Sequence, residues 1–301
     1  MNEGRVGSLC RKKLKEGQGI VIPNQIVSPV KIDKKAKVAE NVESNANLQK
    51  KSEGRKSMGK IIQSKKSIIL AADVPNLGRL ASLTEAMKGI QGIGGIKLGF
   101  TLAMQGLTTA VGVVRKNLGP AFPIIYDHQK AGNDIPDMGK QFAEVLSNAG
   151  VNAVILFPFT GPATQEAWTK ACLDEDLQVL TGGMMTHPQF LVSEGGYIAD
   201  ESVERIYRLA CKLGVRDFVV PGNKVSWVER IRQILVEELG EGNFVLYAPG
   251  FITQKGNISE CGQAAGNGEW HAIVGSAIYK QPTTADQRRV AVYVANQIMS
   301  L

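Results

Sequence analysis

Short apolar runs rich in β-branched residues recur eight times after Ser67, at intervals of roughly 20–30 residues. Between most of them lie stretches whose apolar residues recur at steps of three and four, as in amphipathic helices. The predicted strands are Ile68–Ala72, Gly95–Gly99, Phe122–Tyr126, Ala153–Phe157, Gln178–Thr181, Asp217–Val220, Phe244–Ala248 and Ala272–Gly275. The predicted helices are Asp137–Ala149, Gly161–Glu175, Ser202–Leu213 and Val225–Leu239.

Continuous apolar strands that alternate with helices predict a parallel sheet covered on both faces. Eight such units in about 235 residues have the size of a closed barrel. A doubly wound open sheet is the alternative, but it usually has fewer strands and a Gly-x-Gly-x-x-Gly turn after the first strand. Here the first strand runs into Asp73-Val-Pro instead. We therefore predict an α/β fold, a (β/α)8 TIM barrel over residues 59–301.

Because the charges of residues 59–301 sum to zero, residues 1–58 account for the net positive charge of the chain. This segment holds 13 Lys and Arg residues against 6 Asp and Glu, which equals the net charge of +7 of the whole chain. Its scarce aromatic residues and weak periodicity are typical of disorder. We expect a solvated, disordered basic extension, with a weak polyanion contact or a sorting role as alternatives. The neutral barrel itself is not expected to bind nucleic acid.

Cysteine spacing and hydropathy narrow the class of protein further. Cys10, Cys172, Cys211 and Cys261 lie far apart and form no Cys-x-x-Cys pair, which argues against a disulfide framework or a zinc site. No apolar run reaches the roughly 20 residues that span a bilayer. The N-terminus lacks the pattern of a secretory signal. We expect a cytoplasmic protein that does not enter the membrane.

Charged residues lie at or just after the ends of the first three predicted strands. In a barrel of this type the chemistry gathers where the strands end. Lysines and carboxylates packed together favour each other's charged forms, and such a cluster can place a general acid beside substrate charge without a metal. The three histidines are too scattered to form a metal site. The expected cluster consists of Asp73, Lys97, Asp127, Lys130 and Asp134.

From Ser67 onward the chain resembles the orotidine 5'-phosphate decarboxylase family, in an archaeal-like form. Five matching places occur in the family's order: Leu70–Asp73, Ile96–Phe100, Tyr126–Pro136, Leu180–Pro188, and Ala248–Gly256 together with Ile273–Ser276. The resemblance implies a barrel that decarboxylates orotidine 5'-monophosphate (OMP) to uridine 5'-monophosphate (UMP) in pyrimidine biosynthesis. It also implies that no cofactor or metal takes part, and that the protein is a homodimer with shared active sites.

The resemblance assigns roles to individual residues. Lys130 is implied as the proton donor, Asp127 as the acid nearest the departing carboxylate, and Lys97 as a member of the same charge chain. Asp134 is implied as the acid that reaches across the dimer interface into the partner's site. The implied substrate-binding residues are Asp73 at the ribose, Thr186 and His187 near the pyrimidine, and Gln254, Gly256, Gly275 and Ser276 at the phosphate.

Two features depart from the family pattern. The family signature is Asp-x-Lys-x-x-Asp-Ile-Pro, whereas here Asp127 and Lys130 are three residues apart and Lys130 and Asp134 are four apart. Either a bulge or a short helical turn restores the geometry, or the chemistry differs. Ser276 stands where relatives carry an arginine that binds the phosphate. Backbone N–H groups near Gly275 and Gln254 are then expected to hold the phosphate.

Two other functions remain as alternatives. A sister phosphosugar lyase, such as a magnesium-dependent hexulose-phosphate synthase, would need a metal-binding acid after the second strand, where Thr101–Met104 contains none. A barrel that binds a nucleotide or phosphosugar without catalysis is the other alternative. Retention of several charges argues against it, because buried charges are costly to keep. Residues Gln254–Gly262 are the expected lid over the substrate.

Overall fold

The computed structural model describes residues 59–128, 131–251 and 257–301. Eight parallel strands pair in chain order and β8 pairs with β1, so that the sheet closes into a barrel. The predicted TIM barrel is confirmed, whereas the predicted tail 1–58 lies outside the described residues. The strands are β1 (Lys66–Ala71), β2 (Ile93–Gly99), β3 (Ile124–Asp127), β4 (Ala153–Leu156), β5 (Gln178–Gly182), β6 (Asp217–Val219), β7 (Val245–Pro249) and β8 (Glu269–Val274).

Helices follow the strands and cover the outside of the barrel. Of the four predicted helices, Val225–Leu239 has the predicted bounds and the others agree to within two residues at each end. No helix of the described residues is long and apolar enough to cross a membrane. The helices are α1 (Leu77–Met87), α2 (Phe100–Ala103), α3 (Leu107–Leu118), α4 (Met138–Ala149), α5 (Pro162–Asp174), α6 (Asp200–Lys212), α7 (Val225–Leu239), α8 (Ile258–Ala265), α9 (Ser276–Tyr279) and α10 (Thr284–Met299).

Alternation of side chains along each strand divides the core into two layers. In β1, Leu70 packs toward the helices, whereas Ile69 and Ala71 belong to a separate cluster inside the barrel. Ile62, from the segment before β1, joins this inner cluster. Inward-facing residues of other strands complete the inner layer: Ile125, Ile155, Leu180, Val219, Tyr247 and Ile273.

Three strands, β1, β2 and β8, begin two or three residues earlier than predicted. β1 starts at Lys66 and β8 at Glu269, and Lys66 pairs with Trp270 in the ladder between these strands. Backbone hydrogen bonds extend a strand whatever its side chains are, so polar residues at the solvent edge can still belong to it. Apolar content therefore located the buried part of each strand and not its N-terminal end.

Ionisable side chains are also buried near the N-terminal end of the barrel. Asp217 is 4% exposed and accepts hydrogen bonds from the Tyr247 hydroxyl (3.0 Å) and the Gln178 amide (2.5 Å). Burial raises the pKa of Asp217 to about 6, although both hydrogen bonds favour the carboxylate. The imidazole of His271 shares a 2.8 Å hydrogen bond with Ser67, and burial lowers its pKa to about 3. This imidazole is therefore neutral at physiological pH.

Replacing Asp217 with Asn should make the protein's stability less sensitive to pH. The pKa of Asp217 is higher in the folded protein than its ordinary value of 3.8, so its stabilising contribution is complete below pH 4 and is lost as the pH rises through 6. An Asn side chain does not titrate, so its contribution to the stability does not change with pH. Between pH 4.5 and pH 8, the free energy of unfolding of Asp217→Asn should gain about 2 kcal/mol relative to wild type.

Urea unfolding of both proteins at the two pH values measures this difference. Asp176→Asn is the control, because Asp176 is an exposed carboxylate in a turn, and it should follow the wild-type profile. Parallel profiles for Asp217→Asn and wild type would contradict the raised pKa.

Candidate active site

A cavity of about 260 Å³ opens at the C-terminal ends of the strands. Its lining contains both polar and apolar side chains. The polar residues on its walls are Asp73, Lys97, Asp127, Thr186, Ser276 and Tyr279. Apolar residues that follow or belong to β4–β8 form much of the remainder, among them Ile155, Phe157, Met184, Val219, Phe251 and Ile273.

A larger groove of about 580 Å³ lies outside the barrel, between α5 and α6. Its basic residues are Arg205, Arg208 and Lys212. Arg205 and Lys212 are exposed to solvent, and Arg208 is neutralised by glutamates of α6 and α7. The strand-end cavity is the better candidate for catalysis because it contains buried charges, and perturbed groups in a cleft mark functional sites.

Lys97 is the centre of the charged wall. Its Nζ lies 2.7 Å from Oδ2 of Asp127 and 3.2 Å from Oδ1 of Asp73. Lys97 and Asp127 are 7% and 5% exposed, whereas the side chain of Asp73 is 48% exposed. Burial alone would lower the pKa of Lys97, but the charges of Asp127 and Asp73 outweigh it and the pKa is raised. Lys97 is therefore a cation held between two carboxylates.

Strand register explains why these three residues meet. Lys97 lies beside Ala71 of β1 and beside Ile125 of β3. Asp73 and Asp127 lie two residues farther along those two strands, so both face the lumen as Lys97 does. Gly99 leaves room for the carboxylate of Asp73, since a Cβ at this position would lie 2.8 Å from its Oδ1. The predicted meeting of Asp73, Lys97 and Asp127 thus follows from their inward positions.

The segment after Asp127 is attached to the end of β4. The carbonyl of Ala131 accepts a hydrogen bond from Phe157 N–H (3.2 Å), and the side-chain amide of Asn133 donates to the Phe157 carbonyl (2.9 Å). Asp134 is exposed, does not line the cavity of its own chain, and accepts a hydrogen bond from Ile135 N–H (2.7 Å). The spacing of the signature stays untested, since Lys130 lies outside the described residues.

Thr186 lies on the cavity wall, in a loop held by the segment after β6. The side-chain amide of Asn223 donates to the Thr186 carbonyl (3.0 Å), and the Lys224 ammonium donates to the His187 carbonyl (3.2 Å). Lys224 also pairs with Glu194 of the same loop at 2.9 Å. His187 is exposed and does not line the cavity. The loop is therefore positioned through its backbone.

The predicted phosphate-binding residues are only partly described. Gly275 and Ser276 line the cavity at the end of β8, whereas Gln254 and Gly256 lie outside the described residues, as does the first part of the predicted lid. Tyr279 lines the cavity and was missed by the sequence analysis. Burial and the charge of Asp73 raise the pKa of Tyr279, so its phenol stays protonated and can donate a hydrogen bond.

Removing only one partner of the Lys97–Asp127 ion pair should strongly lower the free energy of unfolding. Lys97→Met leaves the buried carboxylate of Asp127 without its ammonium and should lower the free energy of unfolding by about 3–5 kcal/mol. The double variant Lys97→Met, Asp127→Leu removes both charges and should be more stable than Lys97→Met alone.

A double-mutant cycle by urea unfolding measures this coupling. The exposed pair Lys140 and Glu144, 3.8 Å apart on one face of α4, is the control; its coupling should stay within about 0.5 kcal/mol. Equal coupling energies for the two pairs would contradict the structure.

Comparisons with known proteins agree with the geometry. The sequence model of the "Orotidine 5'-phosphate decarboxylase / HUMPS family" matches residues 66–289. The orotidine 5'-phosphate decarboxylase of Methanosarcina barkeri is 29% identical over 231 residues, which are 76% of this chain and 94% of the relative. That of Methanococcoides burtonii is also 29% identical, over 227 residues, 75% of this chain and 95% of the relative.

Solved structures show the same fold. The orotidine 5'-monophosphate decarboxylase of Methanocaldococcus jannaschii, complexed with the inhibitor BMP, has a TM-score of 0.65 at 21% identity and covers 77% of this chain and 98% of its own. The Pyrococcus horikoshii enzyme has a TM-score of 0.61 at 23% identity and covers 78% and 100%. Because the family model spans most of the barrel, this chain belongs to the orotidine 5'-phosphate decarboxylase / HUMPS family.

Proposed function

We propose that this protein decarboxylates OMP to UMP without a metal or cofactor, as a step of pyrimidine biosynthesis in the cytoplasm. The observation that carries the proposal is the buried cation of Lys97, which lies between two carboxylates on the wall of the cavity. The curated relatives with this barrel, named orotidine 5'-phosphate decarboxylases, span at least 90% of their own length in the match.

The reaction needs stabilisation of negative charge at C6 of the pyrimidine. The C6–carboxylate bond breaks, CO2 leaves, and the electron pair stays on C6. A nearby fixed ammonium stabilises that carbanion electrostatically. The Lys130 ammonium then gives a proton to C6, and water restores the proton of Lys130. Asp127 faces the departing carboxylate, and Lys97 orients Asp127 through their 2.7 Å ion pair.

Binding of the remaining substrate is divided among the other rim residues. In the proposal Asp73 contacts the ribose and Thr186 lies near the pyrimidine, whereas His187, outside the cavity, takes no part in binding. The phosphate is held by Gly275 and Ser276, together with Gln254 and Gly256. Ser276 supplies a hydroxyl where relatives carry an arginine, so backbone N–H groups take a larger share of the phosphate contacts.

An ultraviolet assay with OMP, with and without EDTA, separates this function from its alternatives. Loss of OMP absorbance that EDTA leaves unchanged supports the proposal. EDTA-sensitive activity on a hexulose phosphate would instead support a sister lyase, although no carboxylate occurs in Thr101–Met104 after β2. Binding of UMP without turnover of OMP would support a barrel that binds nucleotides and has lost the chemistry.

Replacing Lys130 with Ala should reduce the decarboxylation rate at least about 1000-fold, because it removes both the proton donor and a charge at C6. UMP should still bind, as measured by calorimetry. Lys140→Ala is the control, since Lys140 is an exposed lysine of α4, and it should retain wild-type activity. Full activity of Lys130→Ala would show that Lys130 is not the proton donor.

A homodimer with shared active sites is part of the proposal. Asp134 is exposed and lies next to Ile135, whose side chain is 59% exposed. On the neighbouring segment after β2, Phe100 and Met104 are 59% and 84% exposed. Large apolar residues exposed on the segments that follow two adjacent strands are typical of a protein contact surface. We propose that a second copy of this chain binds there and contributes its own Asp134 to this cavity.

Subunit mixing tests the shared site. Asp134→Asn and Lys130→Ala should each be inactive alone, because every site then lacks one of the two groups. A mixed dimer has one site with both groups intact, so an equal, freely exchanging mixture should regain about a quarter of the wild-type rate. Asp137→Asn, three residues from Asp134 and also exposed, is the control and should be active alone. A mixture no more active than its components would contradict sharing.

A further inference from the structure

Phe157 occupies a position on the cavity wall that depends on a glycine of the next strand. It follows β4 and packs with the inner cluster, 3% exposed, next to Ile155. Gly182 ends β5, and a Cβ built there would overlap the Cζ, Cε1 and Cε2 atoms of the Phe157 ring. The outer edge of the ring therefore fills the space that any other residue at position 182 would need.

Hydrogen bonds fix the backbone of Phe157 through both its N–H and its carbonyl group. Its N–H donates to the carbonyl of Ala131, and its carbonyl accepts from the side-chain amide of Asn133, which in turn accepts from Phe159 N–H at 2.9 Å. These hydrogen bonds tie Phe157 to the segment that follows Asp127. A change beside the ring must therefore be absorbed by rotation of the side chain.

The directions open to that rotation are few. Phe159 lies 5.7 Å from the Phe157 ring, measured between centroids, and Leu180 and Val219 belong to the same packed cluster. Interiors are close-packed, so the ring cannot move into these neighbours. The unfilled volume beside it is the cavity itself. A side chain at position 182 would thus push Phe157 into the space for the substrate.

We propose that Phe157, seated against Gly182, is a specificity-determining residue that limits the cavity to a pyrimidine without added bulk on its ring. This inference rests on the proposed function, since it takes a pyrimidine nucleotide as the ligand. Phe157 lines the cavity together with Lys97 and Asp127, and an aromatic side chain packs favourably against a flat ring. One methylene in an apolar pocket changes discrimination about 10–200-fold.

The test measures binding, which does not depend on turnover. Dissociation constants of UMP, 5-methyl-UMP and 6-methyl-UMP are determined by calorimetry for wild type and for variants of both positions. Gly182→Ala should weaken UMP binding at least about tenfold, because the ring is driven into the cavity. Gly182→Ala, Phe157→Leu should return to within about threefold of wild type, since the smaller side chain leaves room for the alanine methyl.

Phe157→Leu alone tests size selection without altering Gly182. It should improve the binding of at least one methylated nucleotide, relative to UMP, by about tenfold or more. Gly112→Ala is the control, because a Cβ there meets nothing within 4 Å, and it should bind all three nucleotides as wild type does. Thermal unfolding of each variant identifies loss of folding. If Gly182→Ala does not fold, the ratio of the dissociation constants of the methylated nucleotides and UMP in Phe157→Leu still tests the role of Phe157.

Wild-type UMP binding by folded Gly182→Ala, or unchanged ratios in Phe157→Leu, would overturn the role of Phe157. Failure of the proposed function has a different signature. In that case wild-type protein leaves OMP unchanged in the absorbance assay, while the nucleotide dissociation constants still report on the cavity wall.

Discussion

The ammonium of Lys97 is the constraint around which the catalytic end of the barrel is arranged. A buried ammonium is expensive unless carboxylates neutralise it and accept its hydrogen bonds. Asp127 and Asp73 do so from the two flanking strands, at 2.7 and 3.2 Å. This requirement fixes which residues of β1, β2 and β3 face inward. It also places opposite charges in the lining of the cavity, together with apolar residues that belong to or follow the later strands.

The two ends of the barrel treat a buried carboxylate differently. Among the hydrogen bonds seen in the described residues, Asp217 receives neutral donors, Tyr247 and Gln178, and burial raises its pKa to about 6. Asp127 contacts the Lys97 ammonium instead. A buried carboxylate whose hydrogen-bond donors are neutral tends toward protonation, as the raised pKa of Asp217 shows. The strand ends are thus where the barrel retains fixed charge for chemistry.

Much of this arrangement can be predicted from the sequence, and the reasons are physical. Successive side chains of a barrel strand point alternately inward and outward, so Lys97 and Asp127 can both be assigned to the inside of the barrel from their strands alone. The role of Phe157 cannot, because it depends on the missing side chain of Gly182 on a neighbouring strand. The same holds for Asn223 and Lys224, which contact the backbone of the Thr186 loop. Tyr279 was missed because a single turn after β8 has no periodicity to reveal which side faces the cavity.

The central claim is that this charged wall supports protonation at C6 after CO2 leaves. Incubation of the protein with OMP in D2O, followed by proton NMR of the nucleotide, tests it directly. The account predicts that UMP forms and carries deuterium at C6, seen as loss of the C6 proton signal. OMP that stays unchanged, or a product that carries no deuterium at C6, would contradict it.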